Sequence, residues 1–384
     1  MIIKNVNIIT TSQILNNYCI EINDGKIIDI KKDIKCDNYI DGKGRYLSPG
    51  FVDVHIHGGG GYDFVDEDIK SYEKITYVHM IHGTTSMAPT IVSCPIDELK
   101  NAIIRYQNAN NYYCNLLGLH LEGPYINKSQ AGAINKNHIS IPNIDEFKDI
   151  LSIANGAISR ITIAPELDGA LDIIKLAKEN NISVSIGHSE ATFDQVKEAS
   201  CAGANIITHF YSACSTITRK NGYRILGIVE AGYLMDNLDI EIIADGAHLP
   251  LDLIKYICKF KDHNHILLIT DAMRAASTDL KKTYLGKIDE GTPCIIEDGV
   301  AKLMDKSAFA GSVATADRLV KTMMDAGISL VDVIKMITVN PIKALGGNCL
   351  KGEIKVGYDA DIVLFDENID ISLVIINGEI TYKK

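Results

Sequence analysis

The nine cysteines of this sequence include no Cys-x-x-Cys pair, and their number is odd. Zinc ribbons and disulfide frameworks use paired cysteines at short spacings, so we expect neither and predict reduced thiols. The sequence also lacks a run of about 18 apolar residues, the length that a membrane-spanning helix needs. Its first residues show no basic start followed by a long apolar segment, as an export signal would. These absences predict a cytoplasmic protein that has no membrane partner.

Basic residues are also in short supply, because 38 Lys and Arg face 49 Asp and Glu and give a net charge of −11. A negative field repels phosphate backbones, so nucleic acid is not an expected partner. An anionic small ligand would need a local basic pocket. With 384 residues, 46% of them hydrophobic, the chain can form one large domain and one smaller domain.

The two ends of the chain share the pattern of short strands joined by turns. Residues 2–9, 18–22 and 27–30 are strand candidates near the start, and 360–365 and 372–381 are strand candidates near the end. An Asp24-Gly25 turn and an Asn377-Gly378 turn are typical of β-hairpins. We predict one small β-sandwich domain that combines residues 1–48 with residues 347–384.

Strands and helices alternate regularly between these ends. Amphipathic helical patterns cover 170–180, 192–202, 250–260 and 314–326. Eight strand candidates predict an α/β fold with a (β/α)8 TIM-like barrel over residues 49–346. These candidates are 51–56, 84–91, 115–121, 160–164, 182–187, 204–209, 239–244 and 265–270. Two longer connections, 123–159 and 276–308, are expected to cover a site, and the second contains a predicted hairpin.

Polar side chains follow the apolar strand candidates. His55 and His57 lie two residues apart, on one face of the first strand candidate, and four glycines follow them. Later strand candidates end near Glu122, His188, His209, Asp245 with His248, and Asp271. In a parallel barrel these ends meet at one rim, where imidazole and carboxylate groups can hold Zn²⁺ or Fe²⁺ and leave one position open.

Each of these residues also has a structural alternative. A histidine at a strand end can cap a carbonyl group, Glu122 can stabilise the turn before Gly123-Pro124, and Asp271 can begin a helix. His120 can orient a ligand of the metal or lie deeper in the barrel. A single metal centre accounts for all the strand ends together, and we adopt that hypothesis.

The motifs resemble the amidohydrolase superfamily, and within it the branch that deacetylates amino-sugar phosphates. The resemblance covers nearly the whole chain, in segments that occur in the family's order. These segments are 49–58 (PGFVDVHIHG), 118–124 (GLHLEGP), 187–192 (GHSEAT), 208–209 (TH), 243–248 (IADGAH), 269–273 (ITDAM) and 310–312 (AGS).

The resemblance implies one or two divalent transition metals per subunit, Zn²⁺ or Fe²⁺. Glu122, His188 and His209 would bind the main metal, and His55 and His57 would support a second. Related barrels bridge two metals with a carbamylated lysine, which is absent here because the fourth strand ends in Ala164-Pro165-Glu166. The general acid and base implied by the resemblance is Asp271, which takes a proton from the attacking water and returns it to the departing amine.

Substrate contacts are also implied by the resemblance, at His248, Ala133, Ser212 and Ala213 and in the loop of Phe309, Ala310 and Gly311. Two departures concern these contacts. Ile134 stands where the family commonly has a substrate-contacting histidine, and Asn135 or His138 would have to move to replace it.

The second departure is the basic cluster of Arg219, Lys220 and Arg224, which replaces the family's phosphate-binding arginine run. Any of the three can meet the phosphate, and the structural alternative is a solvated loop. Because the family often completes this contact across a dimer interface, we expect a homodimer.

The resulting functional hypothesis is deacetylation of N-acetylglucosamine 6-phosphate to glucosamine 6-phosphate and acetate, in amino-sugar catabolism. One alternative is a related amidohydrolase acting on N-acetylgalactosamine 6-phosphate or on a cyclic amide. Another is a barrel that has lost catalysis and acts as a binding protein.

Overall fold

A computed structural model describes residues 1–68, 70–110, 112–288, 290–347 and 349–384. Its centre is a barrel of eight parallel strands, which are hydrogen-bonded to their neighbours in chain order. Barrel strands 1 to 8 are Phe51–Ile56, Thr84–Val92, Leu119–Glu122, Ile158–Ile163, Ser183–Ile186, Ala204–Ile207, Asp239–Ile242 and Ile266–Leu268. The short strand Asn115–Leu116 also pairs with barrel strand 2. The eight predicted strands are therefore confirmed.

The barrel nearly closes between its first and last strands. Just beyond barrel strand 8, the amide of Asp271 donates a hydrogen bond to the carbonyl oxygen of His55, at 2.9 Å. The hydroxyl of Thr270 donates to the buried carboxylate of Asp53 in barrel strand 1. The predicted α/β barrel class is thus confirmed, and the closing contacts place Asp271 beside His55.

Helices pack outside the barrel with their apolar sides inward. The helices predicted from periodicity are confirmed to within about two residues, as expected for helix boundaries. In one of them, Thr192 and Gln195 form a capping box. The α-helices of the described ranges are Ser71–Met80, Ile96–Gln107, Ile144–Ala154, Ala170–Glu179, Phe193–Ala202, Ile228–Leu234, Leu251–Phe260, Ala316–Asp325, Leu330–Ile337 and Val339–Ala344. None of these helices has both the length and the apolar composition that a bilayer crossing requires.

Strands from both ends of the chain form a second, separate sheet. The link between them is Tyr46–Pro49, which pairs with Ile2–Ile9 on one side and with Ile362–Phe365 on the other. The other strands of this sheet are Ile14–Asn23, Lys26–Lys31, Ile40–Asp41, Ile371–Ile376 and Glu379–Lys383.

The terminal sheet has an apolar core of its own. Side chains from both ends of the chain form this core, among them Ile3, Ile20, Leu47, Ile362 and Ile375. The sheet curls so far that the two predicted hairpin turns touch, since a Cβ on Gly378 would lie 2.7 Å from the Cα of Gly25. We propose the limits 1–48 and 347–384 for this unit on the basis of its separate core.

Two insertions cover the end of the barrel at which the strands finish. The connection after barrel strand 3 carries the short 3-10 helices Lys128–Gln130 and Lys136–His138. The hairpin predicted in 276–308 is part of a four-stranded antiparallel sheet of Lys282–Leu285, Thr292–Glu297, Val300–Leu303 and Phe309–Ser312. Both insertions supply walls for the site described below.

The glycine turn after barrel strand 1 depends on a buried histidine of the first helix. Nε2 of His79 donates to the carbonyl oxygen of Gly58 at 3.0 Å, and its Nδ1 is buried with no hydrogen-bond partner in the described chain. Burial lowers the pKa of His79 to about 4. The folded protein therefore holds this ring neutral at pH values where an unfolded chain would bind a proton.

This difference predicts a stability that depends on pH. Between the ordinary pKa of about 6.5 and the folded value of about 4, the unfolded state binds more protons, so acid favours unfolding. The contribution of the neutral His79 ring to the free energy of unfolding is fully present above pH 6.5. It falls by up to ~3 kcal/mol as the pH is lowered towards 4. The test is the free energy of unfolding, measured with urea at a series of pH values between 4 and 7. Its slope against pH should be shallower for His79→Gln than for the parent, because glutamine retains a donor for Gly58 but does not titrate. Equal slopes for parent and variant would contradict this assignment.

Candidate metal centre

Six titratable side chains converge at the end of the barrel where the strands finish. His55 lies near the end of barrel strand 1, Glu122 ends barrel strand 3, and the others follow their strands within three residues. All six are less than a tenth exposed: His55, His57, Glu122, His188, His209 and Asp271. A parallel barrel brings the ends of its strands together, so distant sequence positions become neighbours.

Backbone conformation helps to aim these side chains. His188, His209 and Asp271 adopt positive φ angles of 47°, 27° and 48°, a conformation that costs a non-glycine residue of order 1–3 kcal/mol. Beside His57, the backbone at Gly58 passes so close to Tyr62 that a Cβ would lie 2.2 Å from its carbonyl oxygen. The chain thus accepts local strain where the polar groups meet.

The first group of potential ligands consists of Glu122, His188 and His209. Oε1 of Glu122 lies 3.1 Å from Nε2 of His188 and 3.1 Å from Nε2 of His209. The two Nε2 atoms are themselves 3.1 Å apart. Two imidazole nitrogens and a carboxylate oxygen are a set that Zn²⁺ or Fe²⁺ accepts.

The second group consists of His55, His57 and Asp271. Oδ1 of Asp271 lies 3.1 Å from Nε2 of His57 and 3.6 Å from Nε2 of His55. Glu122 faces this group as well, because its Oε2 is 3.2 Å from Nε2 of His57 and its Oε1 is 3.4 Å from Nε2 of His55. Glu122 therefore contacts the histidines of both groups of potential ligands.

The hydrogen bonds of the histidine rings fit a metal. Nδ1 of His188 donates to the carbonyl oxygen of Gln130 at 2.8 Å, and Nδ1 of His209 donates to that of Ser212 at 3.0 Å. Nδ1 of His55 faces a carboxylate oxygen of Glu241 at 3.3 Å, while its buried Nε2 has no hydrogen-bond partner among the described residues. Each Nδ1 that is held in this way directs Nε2 inward, where it can ligate a metal once it carries no proton.

The electrostatics of the cluster keep both carboxylates ionised. Burial alone would raise their pKa values, but the ring of His55 with those of His188 and His209 holds the pKa of Glu122 well below its ordinary value. The rings of His55 and His57 likewise lower the pKa of Asp271. In return, and against the effect of burial, Glu122 and Asp271 raise the pKa of His55 to about 9. Asp271 is thus available as a proton acceptor.

A cavity of about 220 Å³ opens above this cluster. Several of the predicted substrate contacts line it, together with His57, Glu122, His188, His209 and Asp271 of the cluster. Those lining the cavity are Ala133, Ser212, Ala213, His248, Phe309 and Gly311. Ile134 and Leu285 form part of an apolar wall that comes from the two insertions. The cavity therefore combines a polar floor with a partly apolar wall.

His248 is fixed within this cavity. Its Nδ1 lies 2.9 Å from Oδ2 of Asp245, and its ring centre lies 4.7 Å from that of Phe309. The other carboxylate oxygen of Asp245 accepts hydrogen bonds from the amides of Ala247 and His248, at 2.9 and 2.8 Å. With Nδ1 engaged, the remaining ring nitrogen of His248 is free to bind a polar substrate atom.

Other predicted residues lie outside the described cavity lining. Ala310 is completely buried behind it. The basic cluster lies on an exposed antiparallel hairpin of Thr218–Lys220 and Tyr223–Ile225, after barrel strand 6. Arg219, Lys220 and Arg224 are not among the described residues that line the cavity. Within one chain, the structure does not bring the basic cluster to the metal ligands.

His120 lies deeper in the barrel, the second of the two predicted alternatives. Its Nδ1 and Nε2 are 3.1 and 2.8 Å from the hydroxyls of Thr90 and Thr162. Its ring packs edge-on against His55, with the ring centres 4.5 Å apart. His120 belongs to neither group of potential ligands in the described chain.

Sequence reasoning missed a buried ion pair beneath the cluster. Glu241 of barrel strand 7 pairs with Arg160 of barrel strand 4, and both are completely buried. The available signal was a charged residue inside an otherwise apolar strand pattern. Its partner could not be read from the sequence, because the pairing depends on which residues lie at the same height in the barrel.

Comparison with known proteins finds a family model and several relatives that match most of the chain. The amidohydrolase family model matches residues 46–381. The N-acetylglucosamine-6-phosphate deacetylase of Lysinibacillus sphaericus is 31% identical over 99% of this chain and 97% of its own length. The N-acetylgalactosamine-6-phosphate deacetylase of Escherichia coli O157:H7 is 29% identical over 87% of each chain.

A solved structure agrees with these sequence matches. The N-acetylglucosamine-6-phosphate deacetylase of Thermotoga maritima superimposes with a TM-score of 0.88. It is 31% identical in sequence, and the match covers 100% of both chains. The likeness therefore includes the terminal sheet as well as the barrel.

Proposed function

The chain belongs to the amidohydrolase family, and we propose that it hydrolyses N-acetylglucosamine 6-phosphate to glucosamine 6-phosphate and acetate. The observation that carries the proposal is the convergence of two ligand groups around Glu122, with Asp271 facing a cavity above them. This arrangement suits hydrolysis of an amide, which needs an activated water and a group that exchanges a proton. The reaction is a step of amino-sugar catabolism.

The ligands fit Zn²⁺ or Fe²⁺, and a bound divalent metal would lower the pKa of water and polarise an acyl carbonyl group. Glu122, His188 and His209 hold the main metal in our proposal. Asp271 accepts a proton from the attacking water and passes it to the amine nitrogen as the bond between carbon and nitrogen breaks. Its lowered pKa supplies the ionised carboxylate that the first of these steps requires.

The substrate-binding residues of the cavity would orient the sugar. His248, fixed by Asp245, offers a ring nitrogen to a hydroxyl or carbonyl group of the substrate. Phe309 presents an aromatic ring beside His248 against which a sugar face can pack. Ala133, Ser212 and Ala213 form other parts of the lining. The apolar contribution of Ile134 and Leu285 suits the methyl group of an acetyl substituent better than a charged acyl chain.

We propose that His55 and His57 determine the number of metals. Replacing both by alanine removes two ligands of the second group but none of the first. The double variant should bind one metal fewer per chain while retaining measurable hydrolysis. Elemental analysis of the dialysed protein, together with an acetate-release assay, checks this result. Loss of all metal in the double variant would mean that the two groups do not bind independently.

We further propose that the phosphate contact is completed in a homodimer. The basic hairpin carries Tyr223, which is 76% exposed, and the two helices that follow it along the chain carry Leu234, Tyr256 and Phe260, which are 63%, 50% and 54% exposed. Exposed apolar surface of this kind is typical of protein interfaces. In this proposal a second copy packs against the first and supplies its own Arg219, Lys220 or Arg224 to the phosphate of the substrate.

A cytoplasmic location is part of the same proposal. The nine cysteines, which all fall within the described residues, form no disulfide. Reduced thiols are typical of the cytoplasm.

The identity of the sugar is tested with a panel of substrates. The assay compares N-acetylglucosamine 6-phosphate, N-acetylgalactosamine 6-phosphate, their forms without phosphate, and a cyclic amide. We expect the first compound to have the highest kcat/KM and the phosphate to be necessary for efficient turnover. Faster turnover of the galactosamine compound would favour the second candidate function, which the Escherichia coli relative supports.

A charge-neutral variant of the hairpin separates phosphate binding from catalysis. Arg219→Gln, Lys220→Gln and Arg224→Gln together should raise KM for the phosphorylated sugar at least about tenfold, because charge-assisted hydrogen bonds to phosphate are lost. The kcat and the turnover of sugars without phosphate should change little. An unchanged KM would assign the phosphate to other residues.

A further inference from the structure

The buried pair beneath the candidate metal centre contacts two of the predicted ligands, His55 and His209. Glu241 projects from barrel strand 7, and one of its carboxylate oxygens lies 3.3 Å from Nδ1 of His55. The same oxygen accepts a hydrogen bond from the amide of His209, also at 3.3 Å. A single side chain therefore contacts one residue from each group of ligands.

Arg160 holds Glu241 in this position from the opposite side. The guanidinium forms an ion pair with the other carboxylate oxygen. Its remaining bonds run to the hydroxyl of Ser185 at 2.7 Å, to the carbonyl oxygen of Val54 at 3.3 Å and to the hydroxyl of Thr208 at 3.4 Å. Arg160 is completely buried and reaches several strands of the barrel, so it can fix both the charge and the orientation of Glu241.

The anchoring of His55 differs from that of the other histidines. His188 and His209 donate to backbone carbonyl oxygens, which are neutral and belong to the fold. His55 alone among the three anchored rings faces an ionised carboxylate. A carboxylate behind an imidazole fixes its tautomer and makes the opposite nitrogen a stronger metal donor. A buried ion pair by itself often adds little to stability, because the cost of burying two charges offsets their attraction. A role in positioning His55 therefore gives this pair a function that stability alone does not.

We propose that Glu241, held by Arg160, is a positioning residue for His55 that sets the metal affinity of the His55, His57 and Asp271 group. This inference rests on the proposed metal-dependent function, because it assumes that the group binds a metal. It predicts that the two groups of ligands bind metal with different affinities. The group that depends on Glu241 loses its metal first when Glu241 is altered.

Two double variants test this proposal without leaving a lone buried charge. Arg160→Met with Glu241→Gln keeps an oxygen acceptor for His55 but removes the ion pair. Arg160→Met with Glu241→Leu removes the acceptor as well. The probe is Zn²⁺, titrated into metal-free protein against a competing chelator, and thermal unfolding of the metal-free protein verifies the fold. Co²⁺ spectra report how each site is coordinated. If neither double variant folds, Glu241→Asp, which retains the charge on a shorter side chain, takes their place.

We expect the parent to bind two metals per chain. The Leu variant should bind the second metal about 10–100-fold more weakly, which is the usual effect of removing a residue that hydrogen-bonds to a metal ligand. The Gln variant should have an affinity between those of the parent and the Leu variant. The affinity for the first metal should not change in either variant. Variants that retain the second metal with parental affinity, or that weaken both metals equally, would overturn the inference. A parent protein that binds only one metal would also overturn the inference about Glu241, but it would leave the proposed function intact. A parent protein that binds no metal would contradict the proposed function itself.

Discussion

Replacing Asp271 by asparagine should lower kcat for acetate release by at least about 100-fold, because in the proposed reaction this side chain accepts the proton of the attacking water and an amide cannot do so. The side chain is nearly buried and lies 3.1 Å from Nε2 of His57, so asparagine fits the same space. The metal of Glu122, His188 and His209 should remain, since Asp271 is not in that group. Steady-state kinetics and elemental analysis of the same preparation measure both results.

The matched control for this change is Asp252→Asn. The side chain of Asp252 is 97% exposed and lies on an outer helix, so the same chemical change there should leave kcat unaltered. An Asp271→Asn protein that retains its metal and works within a few-fold of the parental rate would remove Asp271 from the mechanism. Residual activity of about one per cent or less is the result that this role of Asp271 predicts.

Replacing Arg160 alone by methionine should lower the free energy of unfolding by ~3–5 kcal/mol, because removing one partner leaves the other as an unpaired charge in the interior. The partner is Glu241, which is completely buried. Adding Glu241→Gln should restore most of the loss, since it removes the unpaired charge and retains an acceptor for His55. Urea unfolding of the metal-free proteins measures both changes.

The comparison of single and double variants is the control for this second prediction. If Arg160→Met alone unfolds at the parental urea concentration, the interior near barrel strand 4 admits enough water to solvate Glu241. The ion pair would then be less important than its burial indicates. A double variant as unstable as the single variant would instead assign the loss to the other bonds of Arg160.

The convergence of the polar side chains at one rim could be predicted because it depends on a general property of the fold, whereas their division into two groups of potential ligands was implied by the family resemblance. His55, Glu122, His188, His209 and Asp271 each lie at or just beyond an apolar strand, and parallel strands end at one rim of a barrel. The terminal sheet was similarly accessible, because Asn-Gly and Asp-Gly turns between apolar runs indicate hairpins. Neither prediction needed the relative heights of residues on different strands.

Other features depend on distances that local patterns do not contain. Whether Arg160 meets Glu241 is decided by the tilt and register of barrel strands 4 and 7, which are not neighbours in the sheet. The strand Lys282–Leu285 is polar at its start and acquires its role by pairing with Thr292–Glu297. The exposed position of Arg219 likewise follows from the path of a long loop. In all three cases the missing information is tertiary.

The proposed function requires that the clustered histidines and carboxylates hydrolyse an amide with the help of a bound metal. The most direct measurement is the rate of acetate release from N-acetylglucosamine 6-phosphate as a function of the metal content of the protein. We predict that chelation abolishes the rate and that Zn²⁺ or Fe²⁺ restores it in proportion to the metal bound. Full turnover by protein shown to be free of metal would rule out a metal-dependent reaction at these residues.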